Sequence, residues 1–444
     1  MAQSKEEFAF LKRVYQDLNP LKRLPPDDPF YHPVYATLTD FDPVEEIKTR
    51  IRFSDVESRH FFSGFRGSGK TTELLRLQRD LQEEGYLVFY ADALQFLNPN
   101  LPIEISDLLI VLAGAFSDAV EAYDASLRLT EESYWTRLRH YLTTTEIEWR
   151  EFSLSVKDAG SVKASLRETP SFRQKVQGVL STRLAELEQQ TKKFFEESVA
   201  ALRRRQPEVQ IVFLFDQLEQ LRGSRLTDQD VLSSVERLFT QHRERLNLPS
   251  IHAVYTVPPW LKFILPGTPI TILPSVRQWE NDAGRTRYRE GDECLWQVLE
   301  KRFGGRGELL RFFGTEDGAW KLIQVCGGHF RDLFELARTA VARAKQLPVT
   351  DGVLESAIAE VRSNYLPIPS ADAVWLQGVA ESRSHGLRTA QAEDVNRFTH
   401  FLDTHLVLFL RNGEEWYDVH PIIREDVREE ARRAAVAAVP RSDG

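Results

Sequence analysis

The sequence predicts an α/β fold built on a parallel sheet, and three observations support this prediction. The run GFRGSGKT at 64–71 has the spacing G-x-x-x-x-G-K-[ST], and it lies between an apolar pair and a helical pattern. IVFLFD at 211–216 is an apolar run that ends in an aspartate, as expected of a buried central strand. HAVYT at 252–256 is a second buried-strand pattern with a polar end. The order strand, glycine-rich turn, helix predicts a three-layer P-loop NTPase core.

The glycine-rich loop is predicted to bind the phosphates of ATP. Its glycines allow a tight turn in which backbone N–H groups face a phosphate. Lys70 would reach the β- and γ-phosphates, and the Thr71 hydroxyl would take one position around Mg²⁺, so ATP and Mg²⁺ are the predicted cofactors. The predicted nucleotide-binding residues are Gly64, Arg66, Gly67, Ser68, Gly69, Lys70, Thr71 and Thr72.

The ends of the two buried runs supply the predicted catalytic residues. Asp216 would lie at the carboxyl edge of the sheet and hold Mg²⁺ through water, in the pattern known as Walker B. The next position, where many such ATPases have a glutamate base, is Gln217, so that role falls to Glu219 or turnover is slow. Thr256 would contact the γ-phosphate or the attacking water (sensor 1); the alternative is a hydroxyl satisfied by the backbone.

Composition restricts the class of protein. The 444 residues include 57 basic and 66 acidic side chains, for a formal net charge of −9, so no general positive field attracts nucleic acid. Two cysteines, Cys294 and Cys326, argue against a disulfide framework or a structural zinc site and favour the cytoplasm. The first residues lack the apolar stretch of a signal peptide, and no run of apolar residues is long enough to predict a membrane span.

The chain is predicted to contain five segments. In chain order they are an N-terminal helical segment (1–59), a P-loop ATPase core (60–290) with an insertion (124–205), a helical lid (291–365), a winged helix (366–432) and a tail (433–444). Residues 31–35 would either cover the adenine or form a packed surface loop.

The insertion is predicted to contain a hairpin and a long helix. Residues 151–157 and 161–166 alternate apolar and polar side chains around a turn at 158–160. From Pro170 a helix of about 35 residues is expected, with one apolar stripe. That stripe would pack on the core of this chain or contact a partner or second copy.

Taken together, the motifs resemble those of AAA+ and STAND-type P-loop ATPases, especially the initiator-like branch. The matching stretches are GFRGSGKT at 64–71, IVFLFDQLE at 211–219, HAVYT at 252–256, LWQVLEKRF at 295–303, CGGHFRDLFELA at 326–337 and VHPII at 419–423. The resemblance implies that Arg331, which follows paired glycines, is the sensor 2 residue touching the γ-phosphate; the alternative is a solvated arginine. The insertion and Gln217 depart from the family pattern.

Two further expectations concern arginines. No arginine finger can be assigned, and the candidates are Arg222, Arg225, Arg243 and Arg245. The second helix region of the winged helix, residues 392–405, has three acidic side chains against Arg397. A DNA-reading helix should instead bring basic side chains to phosphates, so a structural or protein-binding wing is predicted.

The predicted function is that of an ATP-binding, slowly hydrolysing conformational switch. ATP would change self-association or contact with a partner effector, and the resemblance suggests a role in bacterial signalling or phage defence. The sequence has no nuclease, protease or TIR-like catalytic set, so an output activity would belong to a partner. One alternative is a DNA-associated ATPase of the initiator or transposition-regulator kind, and another is a nucleotide-binding scaffold with negligible turnover.

Overall fold

The structure is a computed structural model that describes residues 4–20, 23–38, 41–124, 133–144, 159–223, 228–387 and 392–437. The strands within these residues are β1 (Ser58–Gly64), β2 (Leu87–Asp92), β3 (Ile211–Asp216), β4 (His252–Val257), β5 (Ile270–Leu273), β6 (Val407–Asn412) and β7 (Glu414–Val419).

The α-helices follow the same chain order. They are α1 (Lys5–Asp17), α2 (Val34–Thr37), α3 (Pro43–Arg52), α4 (Lys70–Glu83), α5 (Ile105–Tyr123), α6 (Tyr134–Thr144), α7 (Ala159–Glu168), α8 (Pro170–Ser181), α9 (Leu184–Arg205), α10 (Asp228–Gln241), α11 (Leu261–Ile264), α12 (Arg289–Phe303), α13 (Arg306–Phe313), α14 (Glu316–Val325), α15 (Phe330–Arg343), α16 (Asp351–Ser363), α17 (Ser370–Ser382), α18 (Ala392–Asp403) and α19 (Arg424–Ala437). Of the helices that the structure describes, none combines the length and hydropathy needed to cross a lipid bilayer.

The central sheet has the strand order β2-β3-β4-β1-β5. The pairs β1–β4, β3–β4 and β2–β3 are parallel, so their carboxyl ends share one edge. All six residues of β3 are buried, which explains its nearly continuous apolar sequence. The α/β fold with a parallel sheet and a P-loop after β1 is therefore the fold class that the sequence predicts.

The chain forms two compact units. The first unit consists of Met1–Pro43, Gly64–Leu75 and Ile272–Gly444, and the second of Val44–Ser63 and Arg76–Thr271. The phosphate loop thus groups with the C-terminal helices, whereas Asp216 and Thr256 belong to the second unit.

In the second unit, helix α9 of the insertion packs on α5, and α5 packs on the sheet, through aromatic side chains. The ring of Phe116 in α5 lies 5.4 Å from Phe195 of α9 and 5.3 Å from Phe213 of β3, measured between ring centroids. All three residues belong to one buried apolar cluster. The apolar stripe of α9 therefore packs on the core of this chain, which is one of the two arrangements expected for it.

The predicted hairpin in the insertion is wrong where the structure describes it. Residues 161–166 lie within α7, while residues 151–158 lie outside the described part of the chain. Val162 and Leu166 are both buried, and their spacing of four residues places them on one helical face. Apolar residues four positions apart fit both the two-residue period of a strand and the 3.6-residue period of a helix. In the folded protein, this segment adopts the helix.

The predicted 35-residue helix is two helices, α8 and α9, separated at Thr182 and Arg183. The Ser181 and Thr182 hydroxyls donate to the carbonyl oxygens three residues earlier, at 2.9 and 2.8 Å. Such hydroxyls compete with the helical hydrogen-bond ladder, so they favour a break at this point.

In the first unit, α17 and α18 precede the antiparallel hairpin β6–β7, which turns at Gly413, and α19 follows. Asp418 of β7 is fully buried and accepts hydrogen bonds from Trp279 and Arg285, at 3.0 and 2.9 Å for the closest contacts. Arg383 also donates to this carboxylate, at 2.5 Å. The bonds from Trp279 and Arg285 tie the segment before α12 to the hairpin, and the bond from Arg383 ties the end of α17 to it.

Candidate functional site

The phosphate loop is held by hydrogen bonds to its own carbonyl groups. The Ser68 hydroxyl donates to the carbonyl oxygen of Phe65 at 2.8 Å. The Lys70 ammonium donates to the carbonyl oxygens of Gly64 and Phe65, at 2.8 and 3.0 Å, and the side chain is buried. Helix α4 begins at Lys70, so the loop leads directly into a helix N-terminus, the positive end of the helix dipole. This arrangement is suited to an anion.

Three other predicted loop residues, Arg66, Thr71 and Thr72, are partly or fully exposed. Thr71 and Thr72 lie half-buried in the first turn of α4, and Arg66 is exposed. Thr71 supplies a hydroxyl oxygen and Asp216 a carboxylate oxygen, which are the hard ligands that Mg²⁺ prefers. The donor chemistry of these two residues therefore fits the predicted ion.

The start of helix α15 contacts the phosphate loop. Gly67 has a φ of +87°, and a Cβ added there would lie 2.7 Å from the Cβ of Arg331 and 2.8 Å from its Nε. The Nε2 of His329 lies 2.9 Å from the carbonyl oxygen of Arg66, and because a carbonyl only accepts, His329 donates. Arg331, the predicted sensor 2 residue, is thus packed against the loop in the same unit.

The second of the paired glycines before α15 is required by a close approach of two backbone segments. Gly328 has a φ of +72°, and a Cβ added there would lie 1.8 Å from the carbonyl oxygen of Val276. The Val276 N–H donates to the Gly328 carbonyl oxygen at 2.9 Å. Any larger residue would separate these segments, so the glycine positions the N-terminus of α15.

Asp332, one residue after Arg331, links α15 to the C-terminal elements. Its carboxylate accepts from His329 Nδ1 at 2.9 Å and from His420 Nε2 at 3.2 Å. The ring of Tyr365 stacks on His420 with centroids 5.2 Å apart. Burial alone would raise the pKa of Asp332, but the charge of His329 and the two hydrogen bonds outweigh it and hold the pKa well below its ordinary value.

The second contact of each histidine ring shows which of its nitrogens donate hydrogen bonds. His420 Nδ1 accepts from the Ile422 N–H at 3.2 Å, so Nε2 carries the proton given to Asp332. The two ring nitrogens of His329 face the Asp332 carboxylate and the Arg66 carbonyl oxygen. Donor atoms of His329, Asp332 and His405 lie within 4.8 Å of one another, and such a nitrogen-rich set suits a transition metal rather than Mg²⁺.

The carboxyl edge of the sheet holds a second polar group, in the second unit. Asp216 is fully buried, and its carboxylate accepts from the Tyr90 hydroxyl and from the backbone N–H of Gln217, both at 2.8 Å. Asp92 lies opposite Asp216 in the register of β2 and β3. β1 ends at this same edge, because Ser63 pairs with Val257 at the end of β4, and the phosphate loop follows it directly.

The two other predicted catalytic residues of this edge are buried. The Thr256 hydroxyl oxygen accepts from the Leu218 N–H at 3.2 Å, which is the backbone contact expected under the alternative to sensor 1. Its hydroxyl hydrogen can still donate to a ligand. Glu219 lies in a short 3₁₀ turn and is 2% exposed.

Three of the four arginine-finger candidates have partners within the second unit. Arg222 Nε donates to the Glu219 carbonyl oxygen at 3.3 Å. Arg243 donates to Thr268, and Arg245 to Glu188. Arg225 lies outside the described residues.

Sequence reasoning missed Asp92 and the group formed by His329, Asp332 and His420. Asp92 ends an apolar run in the same way as Asp216, so the pattern used for β3 would also have identified it. The histidine group had no comparable signal, because its members come from positions 329–332 and 420 and only the fold brings them together.

No protein-family model matches the sequence, and no curated protein is significantly similar to it. Solved structures are similar at low identity. A Walker-type ATPase of Pyrococcus abyssi matches with 11% identity over 87% of this chain and 94% of its own, at a TM-score of 0.38. The ORC2 protein of Aeropyrum pernix, in ADPNP-ADP complexes, matches with 12% identity over 89% and 92%, at 0.38.

The Cdc6p protein of Pyrobaculum aerophilum is similar in the same way, with 11% identity over 92% of this chain and 98% of its own, at a TM-score of 0.34. With all three TM-scores below 0.5, the likeness adds nothing to the fold class, which rests on the strand order and the loop described above.

Proposed function

We propose that this protein binds ATP with Mg²⁺ and acts as a nucleotide-dependent conformational switch. Lys70 and the backbone of the phosphate loop would hold the β- and γ-phosphates, with Thr71 and Asp216 around the metal. Arg331 would contact the γ-phosphate, and Thr256 the phosphate or the attacking water. The observation that carries the proposal is the contact of α15 with the loop at Gly67 and Arg66.

This contact provides a route from the nucleotide to the C-terminal elements. A γ-phosphate at the loop would attract the guanidinium of Arg331 and so bias the position of α15. The same helix carries Asp332, which binds His420 just after β7. A shift of α15 would therefore displace the segment proposed as a winged helix through this hydrogen bond. Hydrolysis of ATP would return α15 to its starting position.

The proposed output is a change in self-association or in binding of a partner chain. The resemblance to STAND-type ATPases supports a role in bacterial signalling or phage defence. Mass photometry of the full chain with ADP, ATP or a slowly hydrolysed analogue, each with and without DNA, measures this output directly. We expect a change in the oligomer distribution with ATP that does not depend on DNA.

The binding site itself is tested by replacing Lys70. Lys70→Ala should lower the affinity for Mg²⁺-ATP at least about 100-fold in calorimetry, because a buried charge that meets the phosphates is lost. Lys193→Ala is the matched control, since that lysine lies on the exposed face of α9, where it pairs with Glu197. Retention of ATP binding by Lys70→Ala would show that the site assignment is wrong.

A dependence of the oligomer distribution or of the ATPase activity on DNA would instead favour the DNA-associated alternative. Arg397, the basic residue of α18, donates to Asp372 and lies over the Trp375 ring, so it is engaged within the protein. ATPase activity that rises with DNA and falls steeply with salt would favour the DNA-associated alternative.

A further inference from the structure

In the first unit, the ring of His329 lies between a carbonyl oxygen and a carboxylate. Its Nε2 lies 2.9 Å from the Arg66 carbonyl oxygen, and its Nδ1 lies 2.9 Å from Asp332 Oδ2. Because a carbonyl oxygen only accepts, Nε2 carries a proton. Nδ1 then meets an ionised carboxylate, which also only accepts, so a further positive centre must lie between the two atoms. That centre is either a second ring proton or a metal ion.

His405 brings a nitrogen without a partner to the same place. The residue is 7% exposed, and its ring centroid lies 4.1 Å from that of His329. Its Nε2 is buried and makes no hydrogen bond within the part of the chain that the structure describes. One donor atom each of His329, Asp332 and His405 lies within 4.8 Å of the other two. Because buried polar atoms are nearly always paired, the orphaned nitrogen indicates a ligand from outside the chain.

Neighbouring groups orient two of these three side chains. The Nε2 proton of His329 is donated to Arg66, which leaves Nδ1 as the nitrogen that can bind an ion. His420 Nε2 donates to Asp332 Oδ2 at 3.2 Å. Metal-binding histidines usually donate their second N–H to a carbonyl or carboxylate oxygen, and metal-binding carboxylates are themselves hydrogen-bonded. Both features are present in this group.

The third side chain, His405, is held in the interior by its backbone and by an aromatic contact. It lies between α18 and β6, with a φ of +59°. Its backbone N–H donates to the Leu402 carbonyl oxygen at 3.2 Å. The ring of Phe65 meets the His405 ring edge-on, with 6.2 Å between centroids. These contacts keep the imidazole beside His329.

We propose that His329 Nδ1, the Asp332 carboxylate and His405 Nε2 bind a divalent transition-metal ion such as Zn²⁺. Two imidazole nitrogens and a carboxylate oxygen are ligands that Zn²⁺ takes in proteins, and water would hold the fourth position. Ligand atoms around tetrahedral zinc lie roughly 3.3 Å apart, so small side-chain rotations would close the group around the ion. All three ligands belong to the first unit.

The ion would join α15 to the C-terminal hairpin. His329 is the residue before α15, Asp332 lies in its first turn, and His405 lies two residues before β6. A bound ion would add metal–ligand bonds to the hydrogen bond that His420 makes with the same carboxylate. The inference does not depend on ATP binding, and its tests use the full chain without nucleotide.

Metal content and stability of the full chain test the site. After incubation with Zn²⁺ and gel filtration, we expect about one Zn²⁺ per chain by elemental mass spectrometry. Co²⁺ in place of Zn²⁺ should give the visible absorption of a tetrahedral ion. Zn²⁺ should also raise the urea concentration at the unfolding midpoint, because an ion that binds the folded state stabilises it.

His405→Asn removes one ligand, and asparagine tolerates the left-handed backbone. We expect it to weaken Zn²⁺ binding at least about 100-fold in a competition titration with a chelating dye. Asp332→Asn should weaken binding at least about tenfold. With chelator present, the urea midpoint of His405→Asn should match that of the unchanged protein, which shows that the variant folds. His400→Asn, an exposed histidine on α18, is the control and should bind within about twofold of the unchanged protein.

Two results would overturn the inference. If the folded, unchanged chain retains no Zn²⁺ and gives no Co²⁺ absorption, a second ring proton accounts for the contact of His329 with Asp332. If His405→Asn binds Zn²⁺ as tightly as the unchanged protein, the ion lies elsewhere. Should His405→Asn fail to fold, the affinity of Asp332→Asn decides between the same outcomes.

Discussion

Both edges of the central sheet bury polar side chains, but they do so in different ways. At the amino edge, Ser58 of β1 lies 2.7 Å from His60 Nε2 and 2.8 Å from His252 Nδ1, measured from its hydroxyl oxygen. His252 Nε2 lies 2.7 Å from the side-chain oxygen of Gln210. Because that amide oxygen only accepts, His252 donates to it, accepts from Ser58, and Ser58 accepts from His60. Each donor in this chain of neutral groups, from His60 to His252, therefore has an acceptor within the chain.

The carboxyl edge carries acids instead. Asp92 and Asp216 lie opposite each other on adjacent strands, and their donors are Tyr90 and Gln217. Gln217 has a left-handed backbone, and the chain leaves β1 at this edge into the phosphate loop. Both edges contain buried hydrogen bonds, so burial of polar groups does not distinguish them. Buried carboxylates and a residue in the left-handed region distinguish the carboxyl edge, which we propose as the functional edge.

The largest expected effect is at the carboxyl edge. Asp216→Asn should lower kcat for ATP at least about 100-fold, because a neutral amide is a poor partner for hydrated Mg²⁺. The free energy of unfolding should change little, since the amide can accept from the Gln217 N–H and donate to the Tyr90 hydroxyl. ATPase assays and urea titration measure the two quantities. Asp230→Asn, on the exposed face of α10, is the control.

At the amino edge, a substitution should lower the stability of the protein and leave its kcat unchanged, which is the reverse of the effect expected at Asp216. His252→Leu removes both hydrogen bonds of a fully buried ring and leaves Ser58 and Gln210 without that partner. We expect a loss of about 2–4 kcal/mol in the free energy of unfolding, with kcat per folded molecule unchanged. Urea titration followed by circular dichroism checks the first quantity. A large loss of kcat with normal stability would contradict the contrast between the edges.

The two edges also differ in how far the sequence predicts them. The loop at 64–71, the strand before Asp216 and the helix after Lys70 depend on local patterns, and the structure has these elements where they were expected. The contact between Asp92 and Gln217 joins positions 125 apart in the chain. No local pattern encodes such a pairing, because the strand order that creates it depends on the packing of the whole sheet.

The insertion shows the same limit in a different form. Val162 and Leu166 are buried, yet their spacing fits both the strand and the helix period. The hydroxyls of Ser181 and Thr182 ended a helix that the apolar stripe alone would have continued. The period and the break are decided by competing local hydrogen bonds and by packing, and both effects are too weak to read from one sequence.

Acid should weaken the amino edge selectively. Burial, and secondarily the nearby His252, lower the pKa of His60 from 6.5 to about 4, so the folded protein holds His60 neutral where the unfolded chain protonates it. The stability from this group is complete above pH 6.5 and falls as the pH drops toward 4. Between about pH 6.5 and about pH 5 the loss is about 2 kcal/mol. Urea titrations at several pH values should show a shallower dependence for His60→Gln; an identical slope would contradict the assignment.

The smallest expected effect is at Thr256, on the same strand as His252 but at the opposite edge. Thr256→Val keeps the shape of a fully buried side chain but removes the acceptor of the Leu218 N–H, at a cost of about 1 kcal/mol in unfolding free energy. If the hydroxyl only supports the backbone, kcat should change little, and Thr256→Ser should restore stability. If instead kcat falls at least about tenfold with unchanged ATP affinity, and Thr256→Ser reverses the loss, this hydroxyl contacts the phosphate or the water. Comparing the two variants in ATPase assays and urea titration therefore decides whether the functional edge extends from β3 to β4.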